Sequence, residues 1–157
     1  MARFVMGIDA GTTGVRAVVF GENGAAAGTA YREIASRYPQ PQWMEQNPAE
    51  VWSATRAVIA EAIAAASARP ADIAAVGVTN QRSSIVAWDA ATGNPLSPMI
   101  IWQDTRTAQR CSELQNQGLY ITPMMAASKA EWIVRNIPAA REARSRGQLR
   151  LDRKSVV

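Results

Sequence analysis

The chain opens on two apolar runs, Phe4 to Ile8 and Val15 to Phe20, rich in β-branched residues and separated by the bend Asp9-Ala10-Gly11-Thr12-Thr13-Gly14. That alternation of apolar run, polar bend and apolar run predicts a pair of strands. Glu22-Asn23-Gly24 is a hairpin turn signal, so Ala25 to Ile34 is expected to return as a third antiparallel strand and complete a meander. Residues 35 to 46 contain Tyr38, Pro39, Pro41 and Trp43 with no regular period and read as a loop too irregular for a core element. Asn47 as N-cap, Pro48 at the first helical position and Glu50 three residues after the cap then signal a helix start. Val51, Trp52, Thr55, Val58, Ile59, Ala62 and Ile63 recur at helical spacing, which predicts a helix to about Ala68, ended before Pro70.

Ile73 to Thr79 is a short apolar run of the kind a strand buried on both faces shows, and the polar stretch Asn80-Gln81-Arg82-Ser83-Ser84 follows it. Loops at the C-terminal ends of such strands are favoured ligand positions in α/β folds. Ile85 to Asp89 predicts another strand, and Ala90 to Asn94 turns the chain toward Ile100-Ile101-Trp102. Residues 106 to 117 and 128 to 146 read as helical, with Pro138 dividing the second stretch.

At 157 residues and 48% hydrophobic content the chain suits one domain with a real core. No apolar run approaches the roughly 18 residues that a membrane span needs, and Asp9 interrupts the apolar start too early for a signal peptide. A cytoplasmic location and no membrane partner are the expectation. The single cysteine, Cys111, cannot form an internal disulfide and reads as a small residue on a helix face. The absence of histidine removes His-based triads and His-ligated zinc, leaving carboxylates for acid–base chemistry. A net charge of +4 raises the question of nucleic acid. The basic residues crowd into Arg135, Arg141, Arg144, Arg146, Arg150, Arg153 and Lys154 without interleaved aromatics, so a solvated basic helix and no nucleic-acid partner are expected.

The first bend carries the most chemistry. Gly11 and Gly14 can take positive φ and let backbone approach a bulky anion, while Thr12, Thr13 and the bend's N–H groups are donors for phosphoryl oxygens. Asp9 suits a hydrated Mg2+, and Arg16 adds a permanent cation. Neither Gly-Lys-Ser/Thr nor Gly-x-Gly-x-x-Gly is present here, so the reading is a phosphate-binding hairpin. An ordinary hairpin whose Gly and Thr merely suit a turn is the alternative.

These segments occur in fixed order with Tyr38-Pro39-x-Pro41-x-Trp43-Met44-Glu45-Gln46-Asn47-Pro48, Thr79-Asn80-Gln81-Arg82 and Ile101-Trp102-Gln103-Asp104-x-Arg106-Thr107. Together they resemble the FGGY carbohydrate kinases over residues 3 to about 151. The resemblance implies an α/β, ribonuclease-H-like lobe of the actin and hexokinase superfamily, a mixed sheet with flanking helices and the antiparallel meander at its start. It also implies ATP and Mg2+ as cofactors, a small polyol or sugar as partner, a homo-oligomeric parent and a cleft between two lobes, of which residues 1–151 are an incomplete N-terminal one.

On that resemblance Asp9 looks like the magnesium-linked carboxylate, and Gly11, Thr12, Thr13, Gly14 and Arg16 like the ATP-phosphate contacts. Arg82 matches the arginine that hydrogen-bonds polyol hydroxyls, and Trp102 the aromatic wall of that pocket, although a core aromatic is the alternative for Trp102. Ser83 stands where the glycerol-specific members carry glutamate, and Met124 where they carry tyrosine, so substrate preference is left open between glycerol and another polyol or sugar. A lobe of an actin- or Hsp70-like ATPase is the remaining alternative. The family's catalytic carboxylate base lies beyond Val157, which implies no turnover by this stretch alone. After Leu151 the family's Phe-Gly-Thr-x-Asp-Thr-Trp is replaced by Asp152-Arg153-Lys154-Ser155-Val156-Val157. Those six residues with a stop are what GAT CGG AAG AGC GTC GTG TAG encodes, the start of a widely used sequencing adapter, so 152–157 is expected to be a non-native tail.

Overall fold

The computed structural model describes residues 3–153; Lys154 to Val157 of the expected tail lie outside the described residues. Along the chain run β1 (Phe4–Ala10), β2 (Gly14–Phe20), β3 (Ala26–Glu33), β4 (Glu45–Gln46) and α1 (Pro48–Ala65). A 3-10 turn (Pro70–Asp72) leads to β5 (Ile73–Asn80), β6 (Ile85–Asp89), β7 (Met99–Ile100), α2 (Ala108–Gln115), α3 (Ala126–Asn136), α4 (Pro138–Ser145) and β8 (Leu149–Arg153). The chain divides into two compact units: one from the residues up to Ala35 with Ala49–Gln81, the other from Ser36–Pro48 with Arg82 onward.

In the first unit the strands lie in the order β3-β2-β1-β5, the first three antiparallel and β5 parallel to β1. The predicted meander is present, and Gly24 turns it at a φ of 75°, where glycine carries no Cβ penalty. Met6, Ile8 and Ala10 of β1 and Val15, Ala17 and Val19 of β2 are buried. One cross-strand row shows what covers them: Gly28, Val19, Met6 and Val76 are successive partners from β3 to β5. A Cβ on Gly28 would lie 2.5 Å from the backbone nitrogen of Ala66 and closer still to the Ala62 carbonyl oxygen, so the end of α1 rests directly on β3. Within α1, Val51, Val58 and Ala62 are buried, but Trp52 is 58% exposed, contrary to its place in the predicted apolar face.

β5 also departs from expectation. Instead of being buried on both faces it is exposed along most of its length, with Val76 at 55% and Val78 at 64%. β5 ends the strand order and α1 lies toward β3, so among the described residues its apolar run has no layer to pack against. The entry to β5 is held by Arg69, whose backbone N–H and guanidinium both donate to the Asp72 carboxylate. Those bonds hold the Asp72 carboxyl at about 2, well below the usual carboxylate range.

The second unit is built on the sheet β4-β7-β6-β8, all pairs antiparallel. β4 corrects the reading of residues 35 to 46 as wholly irregular: Glu45 and Gln46 pair with Ile100 and Met99, Arg37 bridges to Glu45, and Gln46 is fully buried. A two-residue strand whose partner comes much later in the chain leaves no local period to read. Ile85, Ala87, Ile100, Ile133 and Ala140 form the core, with Trp132, Ile137, Leu149 and Leu151 packed against it. Pro138 opens α4, as the break in the second helical stretch requires. Asp152 and Arg153, expected as tail, continue β8 opposite Val86 and Ile85, and the Trp88 indole N–H donates to Asp152 Oδ2 at 2.7 Å.

Candidate functional site

The phosphate candidates lie in the first unit, around the bend between β1 and β2. Asp9 and Arg16 are direct cross-strand partners, and both are exposed while Ile8, Ala10, Val15 and Ala17 are buried. Strand alternation therefore sets carboxylate and guanidinium side by side on the open face of the sheet. Tyr31 is the next partner in that row, and the Arg16 guanidinium carbon lies 5.4 Å from its ring centroid, a cation–π approach. The Thr13 carbonyl accepts the Ile34 N–H at 3.0 Å and faces the Tyr31 hydroxyl at 3.5 Å, which pins the bend to the end of β3.

Gly11 and Gly14 are not among the glycines with positive φ, which corrects the conformational reason given for them. Their requirement is space. A Cβ on Gly14 would fall 2.6 Å from the Arg32 carbonyl oxygen and onto the Tyr31 hydroxyl, and one on Gly11 would lie 3.2 Å from the Gly14 carbonyl oxygen. Among the described residues no group of three or more His, Cys, Asp or Glu side chains could cage a metal. An exposed single carboxylate such as Asp9 fits only an ion that keeps its waters and takes its other ligands from phosphate, as Mg2+ does.

The alcohol candidates lie in the second unit. Arg82 is exposed, Ser83 and Trp102 are half-buried, and Met124 is 54% exposed. Ser83 holds a φ of 65°, a left-handed conformation that costs a non-glycine residue about 1 kcal/mol or more. Two contacts connect these positions. The Lys129 ammonium donates to the carbonyls of Pro123 at 2.6 Å, Met124 at 3.0 Å and Ser83 at 3.5 Å. The Trp102 backbone N–H donates to Ser84 Oγ at 3.1 Å, and Ser84 is fully buried. The structure thus brings the backbones of Ser83, Trp102 and Met124 together, with Arg82 one residue before. A separate open cavity of about 460 Å³, lined by Tyr38, Pro41, Trp43, Gln103 and Thr105 among others, touches none of the four.

A model of the FGGY family of carbohydrate kinases, N-terminal domain, matches residues 4–147. The chain belongs to this family. It is 40% identical over 157 residues to a glycerol kinase of Borrelia duttonii, covering 94% of this chain and 32% of that protein. Among solved structures it is similar to a xylulose kinase from Rhodospirillum rubrum, with a TM-score of 0.77, 29% identity, and coverage of 87% of this chain and 30% of the other. A glycerol kinase from Plasmodium falciparum solved with ADP gives a TM-score of 0.85 at 22% identity, covering 96% and 32%, and speaks to fold alone. The fold is the actin- and hexokinase-like, ribonuclease-H-like α/β class with a mixed sheet, and the FGGY chain spans about a third of the length of these relatives.

Within this FGGY chain, two of the motifs that carry the family signature serve the framework. The buried Arg106 guanidinium donates to both oxygens of Asp104, at 2.8 to 3.0 Å, and to Glu45 Oε1 at 2.8 Å. It lies 3.8 Å from the Trp43 ring centroid and 4.6 Å from that of Trp132. Asp104 also accepts the Met44 N–H at 2.6 Å, so Trp43-Met44-Glu45 and Asp104-x-Arg106 lock to each other. Lys129 is the residue that sequence reasoning passed over. It is fully buried on α3, and burial brings its pKa down to about 8 against the opposing pull of the Asp104 carboxylate. Its signal was there: Lys129 stands four residues before Ile133, on the buried stripe of the helix.

Proposed function

We propose that the chain supplies the ATP-phosphate hairpin and the alcohol pocket of a glycerol-type kinase. The full-length reaction is transfer of the γ-phosphoryl of ATP to a primary hydroxyl, with glycerol to glycerol 3-phosphate as the first candidate. The observation that carries this reading is the 40% identity to glycerol kinases across 94% of the chain. The chemistry of the candidate residues supports it. Thr12, Thr13 and the backbone of the bend would donate to phosphate oxygens, Arg16 would offset their charge, and Asp9 would hold the hydrated Mg2+. Mg2+, when bound, neutralises charge on the transferring phosphoryl group. Arg82 donates to vicinal hydroxyls, and the Trp102 ring covers C–H surface and excludes water.

The family resemblance implies a carboxylate base beyond Val157, and this chain covers 32% of the Borrelia duttonii glycerol kinase, so the 157-residue chain is expected to turn over no substrate. The test joins residues 1–147 to the remaining two-thirds of the Borrelia duttonii glycerol kinase and assays ADP release with a panel of polyols and ketoses. Turnover of glycerol supports the reading; a folded fusion that phosphorylates no member of the panel rejects it. Ser83 and Met124 favour a second outcome within the same class. Without the glutamate and tyrosine expected there, the pocket loses two polar partners for a small triol, and a larger sugar becomes the preferred acceptor. A xylulose-to-glycerol ratio of kcat/KM above one in that fusion would choose this second outcome.

A further inference from the structure

The buried lysine on α3 has no part in the chemistry above, yet it touches the two positions at which this chain departs from the glycerol-specific pattern. Its ammonium has three N–H donors, and three carbonyls receive them: Ser83 from the segment after β5, and Pro123 and Met124 from the segment before α3. Ser84, next to the first of these, holds the Trp102 backbone through its hydroxyl. A single cation therefore stands at the centre of a connected set that includes Ser83, Met124 and, through Ser84, Trp102. Burying that charge is costly, and an apolar side chain of the same length would fill the space without the cost. The left-handed φ of Ser83 adds a further cost that the surroundings must offset. Two unfavourable features joined by one contact indicate a geometry that is imposed.

We infer that Lys129 is a positioning residue for the alcohol pocket: it fixes the separation between the segment carrying Arg82 and Ser83 and the segment carrying Met124. This rests on the proposed function only in naming the ligand. The pocket's shape is set by backbone carbonyls drawn to one ammonium, so side chains at 83 and 124 can vary without loosening it. That gives a physical reason why Ser83 and Met124 are tolerated here: they sit on a frame that does not depend on their own side chains.

The test uses the 157-residue chain, labelled with 15N, as wild type, Lys129→Met and Lys129→Arg. Amide resonances of Ser83, Met124 and Trp102 are compared, and glycerol and xylulose are titrated into each. Lys129→Met should shift all three resonances together, keep a cooperative thermal melt and weaken polyol binding tenfold or more, and Lys129→Arg should restore most of the affinity. Unchanged resonances at 83, 124 and 102 in Lys129→Met overturn the inference, as does wild-type affinity in that variant. If Lys129→Met does not fold, Lys129→Arg decides: it keeps the cation and must retain the three resonances within the wild-type pattern. A wild-type chain that binds no polyol while the three resonances move as expected counts against the proposed ligand and leaves the clamp upheld.

Discussion

Arg106, named in the sequence only as part of a family motif, is a framework residue: its guanidinium is engaged by Asp104, Glu45 and two indole faces. Arg106→Met would leave the buried Asp104 carboxylate and the partly buried Glu45 carboxylate without their cation, and the expected loss is about 3–5 kcal/mol in a urea melt. Arg106→Lys should recover only part, because an ammonium cannot bridge both carboxylates in the same fork. Lys129 yields a prediction in pH. Its folded pKa of about 8 lies below the ordinary 10.5, so between those values the unfolded chain binds more protons than the folded one. Stability should therefore rise with pH across that window, at no more than about 1.4 kcal/mol per pH unit, and gain nothing from this group below it. The charged and titratable neighbours are Asp104, Arg106 and Cys111, none of which Lys129→Met removes. The difference in urea-melt stability between wild type and that variant, measured at pH 7.5 and 10, should carry the slope.

At the scale of elements, local chemistry decided what was legible. The meander, α1 and the division at Pro138 follow from turn residues, caps and proline, all of which act within a few residues. β4 and the exposure of β5 depend on partners distant in sequence or on what lies above a face, and no window of a dozen residues contains that information. The candidate site divides the same way. Asp9 and Arg16 could be assigned to one bend from the sequence, and Lys129 to the buried stripe of α3, but the register that pairs the first two and the carbonyls of 83 and 124 that meet the third depend on how the strands and segments come together. Two substitutions test the seating of α1. Gly28→Ala places a methyl against helix backbone at Ala62 and Ala66, neither of which can yield, and should cost roughly 1–3 kcal/mol. Val58→Ala on the buried face should cost a similar amount, roughly 1–3 kcal/mol, while Trp52→Gln on the exposed one should stay within about 0.5 kcal/mol, all by thermal melt.

At the scale of the molecule, the open face of β5 is the chief liability. Val76 and Val78 project from it, and Asn80, on the same side of the strand, has a buried Nδ2 with no hydrogen-bond partner among the described residues. An uncovered apolar row beside an unpaired strand edge favours association. The 157-residue chain should show concentration-dependent growth in light scattering, and Val76→Lys with Val78→Lys should suppress it without lowering the melting temperature of the first unit. The uneven placement of the indoles has a consequence for following the two units separately. Of the five tryptophans, Trp43, Trp88, Trp102 and Trp132 belong to the second unit, and the first holds only Trp52, which is 58% exposed. Intrinsic fluorescence will thus report the melting of the second unit and remain nearly blind to the first. Far-ultraviolet dichroism sees both, and a gap between the two midpoints would measure how independently the halves come apart.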